Sequence, residues 1–180
     1  MNNFFRGWVA AVLFVSLSSV SFAAAPPTAG SAGGVPNYTG RFGLGFILGE
    51  PTAITAKHWL TQNTALDFGL SYFYGNHFLL YADHLWHRPG LFGNSTHFVS
   101  QLSPYMGLGG GIYFWSDHRR PPGWRDTTGG VGVYARVPFG LEWFPGTPSL
   151  GVFLEIVPVV EVVPGIDVAF DGGIGVRYYF

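Results

Sequence analysis

From about residue 38 to the last residue, apolar side chains recur at every second position, and this period of two governs what the chain can become. The clearest stretch ends the chain. Ile166, Val168, Phe170, Ile174, Val176, Tyr178 and Phe180 fall on one face, and Asp167, Asp171 and Arg177 fall on the other. Successive side chains of a strand point to opposite faces, so such a segment is a ribbon with one apolar side and one polar side. The same separation runs through 130–143, 150–162, 65–74 and 42–48, and less cleanly through 53–60, 77–86 and 104–115. Beyond residue 25 no uninterrupted apolar run reaches the roughly 20 residues of a membrane-spanning helix.

These segments predict about eight strands joined by turn-rich connections such as Glu50-Pro51-Thr52 and Pro164-Gly165. Eight hairpin-connected strands can close into a small barrel. Which face is outside decides the class. Only 11% of residues are charged, against 48% hydrophobic and 18% aromatic, whereas soluble domains carry about a quarter charged residues. A ligand-binding barrel in water would need its polar face outside, and the polar face here has too few charges to solvate an exterior. In a membrane the order inverts, and a lipid-facing Arg or Lys at mid-depth costs about 2–4 kcal/mol. The apolar sets contain neither residue. Aromatics divide into two groups under up-and-down connectivity: Phe42, Trp86, Trp143, Tyr178 and Phe180 toward one rim, and Tyr72, Tyr74, Phe78 and Phe114 toward the other. Two aromatic girdles are what two membrane interfaces demand. The expected fold is all-β, an eight-stranded antiparallel up-and-down transmembrane β-barrel.

The start of the chain has a different character. Arg6 precedes a short apolar run interrupted by serines, and Ser21-Phe22-Ala23 satisfies the small-x-small rule. This pattern predicts a secretory signal peptide over 1–23. Residues 24–37, rich in Pro, Gly and small residues, are expected to be a flexible lead-in, and 38–180 the barrel.

Together, the leader pattern, the strand count and the terminal Val176-Arg177-Tyr178-Tyr179-Phe180 resemble the small eight-stranded bacterial outer-membrane barrels of the OmpA/OmpX type. Gly49-Glu50-Pro51-Thr52, Lys57-His58-Trp59 and Ala82-Asp83-His84-Leu85-Trp86-His87 also look like a group of bacterial outer-membrane barrels. The resemblance implies a place in the outer membrane of a Gram-negative-type bacterium, among its lipid and lipopolysaccharide. It also implies that Val176, Tyr178 and Phe180 present a signal to the barrel-assembly machinery. Function varies widely within such a fold.

Strand parity places Arg41, Lys57, Asp67, Asp83, Arg136, Glu142, Glu155, Glu161, Asp167, Asp171 and Arg177 on the inner face. An eight-stranded barrel is only wide enough for side chains to fill, and a buried ion must be paired. The expected role is therefore structural, supporting envelope integrity around a largely plugged, charge-lined lumen. Inner glycines at 43, 45, 69, 107, 109 and 111 leave room for bulky neighbours or for water. The alternatives are a narrow porin-like channel for water, ions or small solutes, and a surface module using the loop Ser116 to Thr128. In that loop Arg119, Arg120 and Arg125 surround Trp124, and arginine forks suit phosphate. No enzymatic constellation is expected. Ser116-Asp117-His118 lie side by side in a loop, and the His-x-Ser pair of barrel deacylases is absent. His84 and His87, three apart, point to opposite faces, so no metal or other cofactor is expected. Nine Lys+Arg against ten Asp+Glu provide no nucleic-acid footprint, and a monomer is expected. Pro138 and Pro158 fall inside strand patterns, where a missing N–H predicts a bulge near one or both. The connection from Arg88 to His97 is long for a turn.

Overall fold

The computed structural model describes residues 41–73, 77–93, 95–115, 130–145 and 149–180. The leader and lead-in, Tyr74, and the loop with Arg119, Arg120, Trp124 and Arg125 lie outside the described residues. Strand β1 spans Phe42–Glu50, β2 Ala53–Trp59, β3 Thr64–Phe73, β4 His77–His87 and β5 Leu102–Trp115. They are followed by β6 Gly130–Arg136, β7 Phe139–Trp143, β8 Leu150–Val163 and β9 Asp167–Tyr179. Neighbours pair antiparallel throughout. β1 joins β9, and β4 joins β5, which closes the sheet on itself. Closure leaves no strand edge unpaired.

β6 and β7 are two halves of one wall. Arg136 faces Gly109 and Phe139 faces Met106, in one unbroken register against β5. Against β8 the register is likewise continuous, with Arg136 opposite Val159 and Phe139 opposite Ile156. The barrel therefore has eight walls. The one register shift against β8 lies between Val133 and Tyr134, so the prolines carry no slip of their own, contrary to the bulge expected beside them. Each keeps its carbonyl in the ladder. Gly107 N donates to Pro138 O at 2.8 Å, and Val137 N donates to Pro158 O at 3.0 Å. A proline forfeits only its own N–H bond, and a closed sheet supplies enough others.

Alternation sorts the side chains as the period of two requires. Leu44, Phe46, Phe68, Leu70, Leu154, Ile156, Phe170 and Ile174 are exposed on the outer wall, with Leu154 at 56% and Ile156 at 60%. Inside, the largest fully buried side chains include Arg136, Arg177, Lys57, Glu142 and Glu161. A water-soluble domain has the opposite arrangement. The aromatic rims are in contact: Phe42 and Phe180 lie 5.6 Å apart between centroids at one end, and Phe78 and Phe114 lie 6.1 Å apart at the other.

Glycines are what let this narrow interior hold large rings. Tyr179, Tyr81, Tyr134, Tyr113, Tyr105 and Phe153 each stand directly opposite a glycine of the next strand: Gly43, Gly69, Gly111, Gly132, Gly140 and Gly175. A Cβ at any of these glycines would fall 2.0–2.5 Å from the ring. The inner glycines therefore make room for aromatics, the cross-strand device by which a ring covers a glycine. Gly45 is tighter still, because an added Cβ would meet the carbonyl oxygen of Val176 at 1.9 Å. Backbone cannot swing aside as a side chain can, so Gly45→Ala is expected to cost about 1–3 kcal/mol through strand displacement. Urea unfolding of protein in lipid vesicles measures this, and an unchanged midpoint would mean that the β1–β9 seam is looser than described.

Candidate functional site

The inward positions of the walls converge on the barrel axis, where three cations are each held by a carboxylate and faced by an aromatic ring. Near the Phe42/Phe180 end, Lys57 of β2 reaches Glu142 of β7 on the opposite wall, with Nζ 2.5 Å from Oε2. Tyr179 OH donates to the other oxygen of Glu142 at 2.5 Å. Lys57 Nζ also lies 4.6 Å from the Trp59 ring centroid and 5.1 Å from that of Tyr105. Beside it the His87 ring sits 4.5 Å from Trp59 and 4.8 Å from Tyr105, with Nδ1 3.1 Å from Ser103 Oγ.

Mid-barrel, Arg177 grips Asp67 through Nη2, at 2.8 Å to Oδ1 and 2.7 Å to Oδ2, and its Nε donates to Thr55 Oγ1 at 2.9 Å. Its guanidinium lies 3.8 Å above the Phe153 ring. Arg136 serves two acids. Nη2 donates to Glu155 Oε1 at 3.1 Å, and Nε lies 3.0 Å from Asp83 Oδ2. Its guanidinium stacks at 3.6 Å on Tyr81, and Tyr105 OH donates to Glu155 Oε2 at 2.8 Å. Toward the far end Tyr113 OH donates to Glu161 Oε1, and Tyr81, Tyr113, Tyr134, Val157 and Val159 pack as one apolar cluster.

All eight of these ionisable side chains have relative exposures of 2% or less: Lys57, Asp67, Asp83, Arg136, Glu142, Glu155, Glu161 and Arg177. Three are cations and five are acids, so ion pairing alone cannot satisfy every carboxylate. The hydroxyls of Tyr105, Tyr113 and Tyr179 provide the additional donors. A buried pair offsets its desolvation only when its remaining lone pairs are hydrogen-bonded. The tyrosines meet that condition at Glu142, Glu155 and Glu161, whereas Asp83 Oδ1, Arg177 Nη1 and His87 Nε2 are buried with no hydrogen-bond partner among the described residues.

One charge assigned to the lumen by parity stands outside the wall, and two others lie toward its far end. Arg41 is exposed at the rim, where its carbonyl accepts Trp59 N at 2.8 Å. Parity constrains a side chain only while its residue is in the wall, and the wall begins at Phe42. Asp167 and Asp171 are half-buried on the inward parity of β9, opposite the buried Glu161 and Val157, and Asp167 Oδ1 accepts the N–H of Val168 at 2.9 Å. Of the terminal residues, Tyr178 and Phe180 are exposed and Val176 is half-buried on the outer face. The residues missed as partners are Thr55, Tyr81, Tyr105, Tyr113, Phe153 and Tyr179. All lie on the inward parity of their strands, so the alternation that located the charges also marks them.

No family model matches the chain, and no curated protein matches it in sequence. Solved structures do match. The crystal structure of the N-terminal β-barrel domain of Pseudomonas aeruginosa OprF superposes with a TM-score of 0.52 at 16% identity, covering 77% of this chain and 95% of that one. Neisserial surface protein A (NspA) matches with a TM-score of 0.46 at 14% identity, covering 77% and 93%. The fold is that of the small eight-stranded outer-membrane barrels of the OmpA type.

Proposed function

We propose that this protein is an integral outer-membrane barrel that serves the envelope structurally, with its lumen closed by the ion network. The observation that carries this reading is the Lys57–Glu142 bridge. It crosses the barrel from β2 to β7, and each partner is 0% exposed at the side chain. The Arg177–Asp67 and Arg136–Glu155 pairs stack beyond it, and tyrosine and phenylalanine rings fill the space between charges. A path for hydrated ions would need polar groups lining open water. Here the carboxylates of Asp67, Glu142 and Glu155 are each engaged by a cation of another wall, and those of Glu142 and Glu155 also by a tyrosine hydroxyl.

The apolar outer wall supports placement in a bilayer, and the signal-peptide pattern supports delivery to the outer membrane. Planar-bilayer recording of purified protein tests the closed lumen. No steady conductance is expected from the parent protein. Discrete openings that change on Arg136→Ala would replace the plug with a gated channel.

A further inference from the structure

Residues 88–101, which connect β4 to β5, do more than turn the chain. Most connections in compact domains take about 4–6 residues. This one contains a helical turn, α1, over His97–Ser100, and exposes three large apolar side chains: Leu91 at 66%, Phe92 at 53% and Phe98 at 54%. We propose that this connection is a membrane foot, with Leu91, Phe92 and Phe98 seated at the headgroup–acyl boundary of the phospholipid leaflet around the Phe42/Phe180 rim. The proposal rests on the outer wall being lipid-facing.

Three observations support it. First, α1 leans on the outside of the barrel. Phe98 lies 5.6 Å from the ring of Trp143, which shares the outward parity of Phe139 and Leu141. Trp143 Nε1 donates to Gln101 Oε1 at 3.1 Å, and Phe144 N donates to Gln101 O at 3.1 Å. Second, the patch continues an apolar rim. Trp86, the penultimate residue of β4, is exposed, as are Phe42, Tyr178 and Phe180 at the same end. Third, the turn answers much of its own polarity, as backbone leaving bulk water must. Thr96 Oγ1 accepts Val99 N at 3.3 Å, Ser100 Oγ donates to His97 O at 2.8 Å, and Gln101 Nε2 lies 3.1 Å from His97 Nε2. Aromatic and aliphatic side chains on a locally satisfied turn suit the interface plane of a bilayer.

The chain has no cysteine, so single nitroxide labels can be placed without background. Labels at Phe92→Cys and Phe98→Cys are compared with Leu154→Cys on the wall and Gln62→Cys in the exposed turn between β2 and β3. The protein is folded into phosphatidylcholine–phosphatidylglycerol vesicles, and collisions with oxygen and with a water-soluble nickel chelate are measured. At 92 and 98 the nickel collision rate should fall about threefold or more below that at 62, with oxygen collisions raised, as for an interfacial segment. If 92 and 98 match 62 while 154 is protected, the foot is wrong and the barrel reading stands. If 154 also matches 62, the lipid-facing wall fails and the foot fails with it.

Discussion

Arg177→Met should destabilise the folded barrel by about 3–5 kcal/mol, the cost of leaving a buried charge without its partner. Arg177 makes two hydrogen bonds to Asp67 and one to Thr55, and its guanidinium covers Phe153. Methionine retains much of the packing and removes the charge, so the loss reports on Asp67. The companion variant Arg177→Met/Asp67→Leu removes both charges and should recover most of the stability, since a buried pair replaced by apolar side chains is often near neutral. Urea unfolding in vesicles, followed by tryptophan fluorescence, measures both. Folding there proceeds without any assembly machinery, which isolates the ion pair from the neighbouring terminal residues. A single variant within about 1 kcal/mol of the parent, the typical effect of any point change, would show that the lumen is wet enough to solvate Asp67.

Leu154→Arg should cost about 2–4 kcal/mol in a bilayer, the penalty for a cation on the lipid face near mid-depth. Leu154 sits within the long strand β8, opposite Ile174 of β9 and Leu141 of β7, and all three side chains share the outward face. The adjacent Glu155 faces inward, buried, so one residue's displacement along the chain separates lipid from lumen. The same substitution on a water-exposed surface would change stability by about 0.5 kcal/mol or less. The comparison of vesicle-embedded parent and variant therefore measures the solvent around that wall directly.

Much of the fold was legible because a strand's side-chain period is two and each face met a different solvent. Ile166 through Phe180 and Phe42 through Leu48 assign themselves to a face with no tertiary information. Where the alternation is interrupted, sequence is less decisive. Pro138 divides one wall into β6 and β7 without moving its register, because each proline's carbonyl still finds a donor across the ladder. The helical turn at His97–Ser100 has no apolar period to announce it, being a single turn capped by Thr96. In the lumen, parity supplied the charges but not their pairing. Lys57 and Glu142 are 85 positions apart and meet only because closure sets β2 across from β7. The glycines were half legible: Gly69 and Gly111 read as room for a bulky neighbour or for water, and the rings of Tyr81 and Tyr134 opposite them decide between the two.

The most direct measurement is which side chains touch acyl chains. Protein folded in vesicles containing a diazirine-bearing phospholipid, irradiated and mapped by mass spectrometry, should carry adducts at outward positions such as Leu44, Leu154 and Ile174. The inward Val157, Val159 and Phe153 should carry none. A protein that remains monomeric in detergent-free buffer, with its aliphatic wall unlabelled in the presence of those vesicles, would contradict the account.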